Sequence, residues 1–93
     1  MQEYSTIRII VEGKVQGVFF RKYAAAAATE IGATGYVRNC KDGSVEIVAT
    51  GTAAQLDALY TWCKSGSPRA IVQRITQTAL PLQSFSRFEI IRN

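Results

Sequence analysis

The sequence predicts an α+β sandwich in which a mostly antiparallel sheet carries two helices on one face. Stretches that favour strands alternate with two stretches of helical periodicity in the order β-α-β-β-α-β, and a further strand follows. The chain has 93 residues, 47% of them hydrophobic, which suffices for one core and no more. We therefore expect one domain over residues 1–93 with a ferredoxin-like arrangement and an added C-terminal strand.

The first two predicted elements are a strand over residues 6–13 and a helix over residues 20–32. The strand carries apolar side chains on one face at every second position. The helix is rich in alanine, the best helix former, and Gly32 is expected to end it. The following residues recur at the spacing of one buried helix face: Phe20, Ala24, Ala27 and Ile31.

A β-hairpin is predicted in the middle of the chain. Asp42 and Gly43 form a strong turn signal between two strands over residues 34–40 and 44–51. Because side chains alternate along a strand, Val37 and Asn39 are expected to share one face. The opposite face of the same strand would carry Tyr36, Arg38 and Cys40, and one face of the second strand would carry Val45, Ile47 and Ala49.

The second predicted helix covers residues 52–66 and has both start and stop signals. Thr52 and Gln55 match a capping box, and Gly66 followed by Pro68 ends the helix. Its apolar face would consist of Leu56, Leu59, Tyr60 and Cys63. Two strands over residues 69–79 and 84–92 complete the predicted sheet.

The composition excludes several kinds of site. The chain has no histidine, which excludes Ser-His and Cys-His nucleophile pairs and a phosphohistidine intermediate. Two cysteines, Cys40 and Cys63, cannot form a structural zinc site alone, and we expect two ordinary reduced thiols. The seven carboxylates show no spacing typical of paired acid-base groups, so no metal site is predicted.

The distribution of charge and hydropathy along the chain indicates the class of ligand and the cellular location. The formal charge of +4 comes from scattered basic residues and favours anionic ligands, among them nucleic acids and small phosphates. The sequence has no signal-peptide pattern and no apolar stretch long enough to span a membrane. We therefore expect a cytoplasmic protein without membrane contact, and a monomer.

The segment GKVQGVFFRKYA, residues 13–24, leads into the first helix without a conventional N-cap. It contains no Ser, Thr, Asp or Asn to accept hydrogen bonds from the first helical N–H groups. One explanation is that Gly17 or water acts as the cap. The other is that an anion binds there, because glycine-containing loops at helix N-termini are common phosphate sites. The residues of the loop alone leave both explanations open.

The spacing of the loop excludes the best-known phosphate motifs, since neither GxxxxGK[ST] nor GxGxxG is present. Arg21 nevertheless favours an anion. A positive charge at a helix N-terminus opposes the helix dipole, and a guanidinium matches the geometry of phosphate. Lys22 is expected to point elsewhere, as a solvated charge.

Two motifs closely resemble the signatures of the acylphosphatase family. GKVQGVFFR, residues 13–21, resembles G-x-V-Q-G-V-x-F-R. GYVRNCKDGSV, residues 35–45, with the later Gly51, resembles the second signature, G-[aromatic]-V-[basic]-N-x-x-x-G-x-V. The order and separation of the motifs, the chain length and the order of the elements also match. The resemblance therefore covers essentially the whole chain.

The resemblance implies an enzyme that hydrolyses the carboxyl-phosphate bond of acyl phosphates without a metal or organic cofactor. Arg21 would hold the phosphoryl group by charge, and Asn39 would position the attacking water. Inorganic phosphate or sulfate is then expected to compete with the substrate. Backbone N–H groups of the loop would bind the phosphoryl oxygens, and they belong to Lys14, Val15, Gln16, Gly17, Val18, Phe19 and Phe20.

Other interpretations of the same residues are possible. A polar residue such as Asn39 is common beside a hairpin turn, and Arg38 is expected to be a solvated strand residue. Ferredoxin-like sheets also bind RNA, but the motif [KR]-G-[FY]-[GA]-F-V-x-[FY] is missing, so no nucleic-acid partner is predicted. A phosphate-sensing domain without turnover is a third interpretation. The identity of the acyl group cannot be read from the sequence.

Overall fold

The computed structural model describes residues 3–92 and confirms the α+β sandwich. Met1, Gln2 and Asn93, which belong to the predicted domain, lie outside the described residues. Each helix ends one residue before the glycine that was predicted to stop it, Gly32 for the first helix and Gly66 for the second. The elements in chain order are β1 (Ser5–Lys14), α1 (Phe20–Ile31), β2 (Thr34–Asn39), β3 (Val45–Gly51), α2 (Ala53–Ser65), β4 (Ile71–Leu80) and β5 (Phe88–Ile91).

The five strands form one sheet in the order β4-β1-β3-β2-β5. Neighbouring strands are antiparallel except β2 and β5, which are parallel. The place of β5, which the sequence did not indicate, is the edge beyond β2. Because β1 and β2 are both antiparallel to β3, strands β1, β2 and β5 all run in one direction. Their C-terminal ends therefore meet at the same edge of the sheet.

The last strand is shorter than predicted, since it covers Phe88–Ile91 and leaves out residues 84–87 and 92. The chain must cross from β4 at one edge to β5 at the other. On the way, the Gln83 N–H donates to Thr6 Oγ1 at 2.9 Å, and the Gln83 carbonyl accepts from Thr50 Oγ1 at 2.7 Å. Phe85 packs edge-on against Tyr36, with ring centroids 6.1 Å apart. These contacts hold the segment across the face of the sheet that carries no helix.

Both helices pack on one face of the sheet, as predicted. Helix α1 buries Phe20, Ala24 and Ala28, which follow one another at intervals of four residues. The prediction of Ala27 in that row was wrong. A spacing of four residues after Ala24 places Ala28 in the row, and Ala27 is only half-buried. The predicted sheet face is confirmed: Val37, Val45, Ile47 and Ala49 are fully buried, together with Ile9 and Val11 of β1.

Helix α2 is capped as the sequence indicates. The Gln55 N–H donates to Thr52 Oγ1 at 3.2 Å, and the Thr52 N–H donates to Gln55 Oε1 at 2.9 Å. These two bonds satisfy two of the N–H groups that a helix start leaves free. The buried face of α2 consists of Leu56, Leu59 and Cys63, while Tyr60 is half-buried.

Both cysteines are free thiols, as expected. Burial raises the pKa of the Cys63 thiol from its ordinary value of 9.0 to about 12, so this thiol stays protonated near neutral pH. Within residues 3–92, no helix has the length and apolar character that crossing a membrane requires.

Candidate active site

A cleft of about 480 Å³ opens at the edge of the sheet where β1, β2 and β5 end. The loop between β1 and α1 forms one side of it, and the ends of β2 and β5 form the other. Topology therefore brings together residues that are far apart in the chain. The residues that line the cleft are Val15, Gly17, Phe19, Phe20, Arg21, Lys22, Asn39 and Arg92.

The start of helix α1 in this cleft has no side-chain cap, as predicted. The N-cap residue is Phe19, and its side chain has no atom that can accept a hydrogen bond. The first helical bond runs from the Tyr23 N–H to the Phe19 carbonyl at 3.2 Å. The N–H groups that precede Tyr23 in the helix therefore lack a helical acceptor, and the positive end of the helix dipole lies at the cleft.

Two residues of the loop before the helix have a left-handed backbone conformation. Gly17 and Phe19 have φ angles of 74° and 60°, whereas Val18 between them is not in the left-handed region. Alternation of this kind turns successive N–H groups toward one side. Within residues 3–92, Phe19 is the one residue other than glycine with positive φ, a conformation that costs about 1–3 kcal/mol and is concentrated at functional sites.

The loop is held by buried side chains on either side of its strained residue. Val15, Val18 and Phe20 are 1%, 4% and 1% exposed, whereas Phe19 is 68% exposed. The ring of Phe20 packs edge-on against Trp62 at a centroid distance of 5.3 Å. The hydroxyl of Ser67, which is buried, donates to the Val18 carbonyl at 2.8 Å. The core thus fixes the loop, and Phe19 remains at the surface.

Gln16 joins the loop to the β2–β3 hairpin. Its side-chain Nε2 donates to the carbonyls of Cys40 and Ser44, both at 2.8 Å. The loop motif predicts a role only for the backbone N–H of Gln16, and the contact of its side chain is not among the predicted features. No local signal reveals such contacts, because the acceptors lie 24 and 28 residues further along the chain.

Arg21 lies in the first turn of α1 and reaches across the cleft. Its Nη1 donates to the carbonyl of Ile91 at the end of β5, at 3.2 Å. Lys22, which was expected to point elsewhere, is exposed but also lines the cleft, as does Arg92. Three cationic side chains and a helix N-terminus therefore lie around one opening, which favours an anionic ligand.

Asn39 is the last residue of β2 and lies opposite Val45 in the register with β3. It shares the helix-bearing face with Val37, as predicted, and this face places it in the cleft. Arg38 lies on the opposite face, where it donates to Glu46 at 2.6 Å, and Arg8 pairs with the same carboxylate at 3.0 Å. Arg38 is therefore an ion-pair partner in the sheet rather than a freely solvated residue.

The structure brings most of the predicted site residues into the cleft. Val15, Gly17, Phe19, Phe20, Arg21 and Asn39 line it. Lys14, Gln16 and Val18 do not line it: Lys14 is exposed at the end of β1, where it pairs with Ile71, Gln16 bonds to the β2–β3 hairpin, and Val18 is buried. No lining residue is acidic, and within residues 3–92 no group of three Cys, Asp or Glu side chains could hold a metal ion.

The fold and the cleft define a small α+β domain in which an uncapped helix N-terminus and three cationic side chains lie around one opening. A family model for acylphosphatase matches residues 7–90. An acylphosphatase from Marinobacter nauticus is 48% identical over 81 residues, which cover 86% of this chain and 88% of that protein. The protein described here belongs to the acylphosphatase family.

Two solved structures support the assignment independently of the sequence motifs. An acylphosphatase from Coxiella burnetii superposes with a TM-score of 0.91 at 35% identity, over 95% of this chain and 93% of that one. The acylphosphatase from Bacillus subtilis has the same TM-score of 0.91 at 37% identity, over 97% of this chain and 100% of that one. The likeness therefore extends over the whole fold described here.

Proposed function

We propose that the protein hydrolyses acyl phosphates to a carboxylate and inorganic phosphate. The single observation that carries this proposal is the meeting of an uncapped helix N-terminus, Arg21 and Asn39 in one cleft. Membership of the acylphosphatase family supports the same activity. The empty cap position then has an explanation, because the phosphoryl oxygens of the substrate accept the N–H bonds that no side chain accepts.

The loop amides and Arg21 bind the phosphoryl group in this proposal. The N–H groups of residues 14–20 surround the phosphoryl oxygens, and the guanidinium of Arg21 contacts them by charge-assisted hydrogen bonds. The contact of Arg21 with the Ile91 carbonyl uses Nη1, which leaves the rest of the guanidinium to contact the substrate. Stabilisation of charge by groups already in place is the main catalytic effect expected here.

Asn39 orients the attacking water through its side-chain amide. The water oxygen forms a bond to phosphorus while the bond from phosphorus to the acyl oxygen breaks, and the carboxylate leaves with the electron pair. The water releases its protons to solvent and to the phosphate product. A carboxylic acid has a pKa of about 4, so the leaving group departs without a catalytic acid. The loose transition state of phosphoryl transfer also needs no strong base.

This mechanism accounts for the absence of acidic side chains among the lining residues. The leaving group of a phosphate monoester is an alkoxide, which departs less readily than a carboxylate and needs an acid or a metal. Phosphate monoesters are therefore expected to be poor substrates. Inorganic phosphate and sulfate compete for the same amides and Arg21.

We also propose that residues 1–93 act as one domain, in the cytoplasm and as a monomer, with no nucleic-acid partner. The alternative RNA-binding interpretation needs exposed aromatic residues on the central strands of the sheet. Neither β1 nor β3 carries an aromatic residue, and Tyr36 on β2 is packed by Phe85. A phosphate sensor without turnover would have the same cleft, and only an activity measurement separates it from an enzyme.

The test is a hydrolysis assay on a panel of synthetic acyl phosphates, with a phosphate monoester as the control substrate. We expect turnover of acyl phosphates and little of the monoester, with the same rates after exhaustive chelation of metals. A protein that binds phosphate but turns over no acyl phosphate would contradict the enzymatic role. Activity that is lost on chelation and restored by magnesium or zinc would contradict the metal-free mechanism.

A further inference from the structure

Gln16 makes a contact that the proposed mechanism does not use. Its side-chain amide donates to the β2–β3 hairpin, to the Cys40 and Ser44 carbonyls at 2.8 Å each. These carbonyls flank the turn between β2 and β3, and Cys40 directly follows Asn39 in the chain. One side chain of the anion-binding loop is therefore bonded to both ends of the turn beside Asn39.

The hairpin turn is closed without Gln16. The Cys40 N–H donates to the Ser44 carbonyl at 2.8 Å, and the Gly43 N–H donates to the Cys40 carbonyl at 3.2 Å. The carboxylate of Asp42 accepts from the Ser44 N–H at 3.0 Å and from the Ser44 hydroxyl at 2.6 Å. Both carbonyls that Gln16 contacts would keep a backbone partner if its amide were removed.

The loop is also anchored without the Gln16 side chain. Val15, Val18 and Phe20 are buried, and Ser67 holds the Val18 carbonyl. The loop and the hairpin each have further contacts that hold their conformation. What the two bonds of Gln16 add is a direct link between the loop that carries the anion site and the hairpin that carries Asn39.

We infer that Gln16 is a positioning residue for the reaction, which sets the place of the Asn39 amide relative to the bound phosphoryl group. The inference rests on the proposed function. Catalysis by an oriented water depends on distance, and a misplacement of about 1 Å can cost roughly 10²-fold in rate. Binding of the phosphoryl group depends on the loop amides and Arg21, which stay in place. Gln16 therefore contributes to turnover much more than to anion affinity.

The test replaces Gln16 by methionine, which has a similar length but cannot donate a hydrogen bond. We expect kcat for a synthetic acyl phosphate to fall about 10-fold to 100-fold in Gln16→Met. The inhibition constant of inorganic phosphate should stay within about twofold of the parent value, because the backbone of the loop is unchanged. Gln77→Met, the same change at an exposed position of β4, is the matched control and should keep the parent kcat.

A double-mutant cycle with Asn39→Ala separates positioning from general structural support. If Gln16 acts through Asn39, Gln16→Met should cause little further loss of kcat once Asn39 is alanine. A merely structural role predicts the same loss in both backgrounds. Thermal melts and phosphate inhibition of all four proteins show whether each variant is folded.

The outcomes distinguish this inference from the proposed function. A parent protein that does not hydrolyse acyl phosphates overturns both. An active parent with unchanged kcat in Gln16→Met overturns the positioning role alone, as does an equal loss in the Asn39→Ala background. A large loss in the parent background that disappears in Asn39→Ala, with phosphate affinity retained, supports it.

Discussion

Asn39 and Arg21 enter the cleft from different elements and meet different parts of the proposed substrate. Arg21 projects from the first turn of α1 and is held by the Ile91 carbonyl. Asn39 ends β2, with its side chain on the helix-bearing face. In the proposed mechanism Arg21 contacts the phosphoryl group throughout, whereas Asn39 contacts only the water. Their loss should therefore have different kinetic signatures.

For Asn39→Ala we expect turnover to fall by roughly 10² or more, the scale for one oriented catalytic hydrogen bond. The inhibition constant of phosphate should stay near the parent value, and the melting temperature should change little. Asn39→Asp should be as poor or worse at neutral pH, because it places a negative charge near an anionic substrate. Steady-state kinetics beside thermal melts measure all three quantities. Near-parent turnover in folded Asn39→Ala would remove Asn39 from the mechanism.

At the residue scale, the sequence predicted which residues form the candidate site better than it predicted the contacts that these residues make. The motif residues around Arg21 and Asn39 could be read directly, and strand alternation placed Asn39 on the correct face. The Arg21–Ile91 and Gln16–Cys40 hydrogen bonds could not be predicted, since their partners lie 70 and 24 residues apart. The left-handed conformation of Phe19 was also unexpected, because bulky residues disfavour it.

At the scale of elements, the two helices begin in opposite ways. Helix α2 starts with a complete capping box, whereas α1 starts with an exposed phenylalanine and no side-chain acceptor. The contrast within one small domain supports the proposed anion site at the bare N-terminus of α1. The elements themselves were predictable because each has local start, stop or periodicity signals. The strand β5 was predicted too long, since its bounds depend on how the chain crosses the sheet.

The capping box of α2 should matter for stability and not for catalysis. Thr52→Ala removes the hydroxyl that accepts from the Gln55 N–H, and we expect a loss of about 1 kcal/mol in the free energy of unfolding. Because α2 contributes no residue to the lining of the cleft, kcat and KM should match the parent at a temperature where both proteins are folded. Chemical denaturation and steady-state kinetics check the two parts. A large kinetic effect would show that the start of α2 is coupled to the site.

On the scale of the whole molecule, the positive charges have two different surroundings. Arg8 and Arg38 share the Glu46 carboxylate on the face without helices. Arg21, Lys22 and Arg92 instead surround a cleft without acidic lining residues. The net charge of +4 predicted an anionic ligand but not its location, because this separation depends on the sheet topology.

The buried thiol of Cys63 should make the fold sensitive to alkaline pH. Its pKa is raised to about 12 in the folded protein, so the unfolded chain loses this proton first as the pH rises above about 9. The contribution of the protonated thiol to the free energy of unfolding is complete below about pH 9 and is lost progressively up to about pH 12. Between about pH 8 and pH 10 the parent should lose roughly 1 kcal/mol more than Cys63→Ala. Denaturant unfolding of both proteins at each pH measures this difference. If the free energies of unfolding of the two proteins changed in parallel with pH, the prediction would be contradicted.

In the proposed mechanism, the loop before α1 and Arg21 bind a phosphoryl group. The most direct measurement is a titration of the ¹⁵N-labelled protein with inorganic phosphate, followed by the backbone amide resonances. We predict saturable shifts concentrated at residues 15–20, and their loss in folded Arg21→Gln. Shifts centred on Arg8 and Arg38, or shifts at the loop that persist unchanged in Arg21→Gln, would contradict the claim.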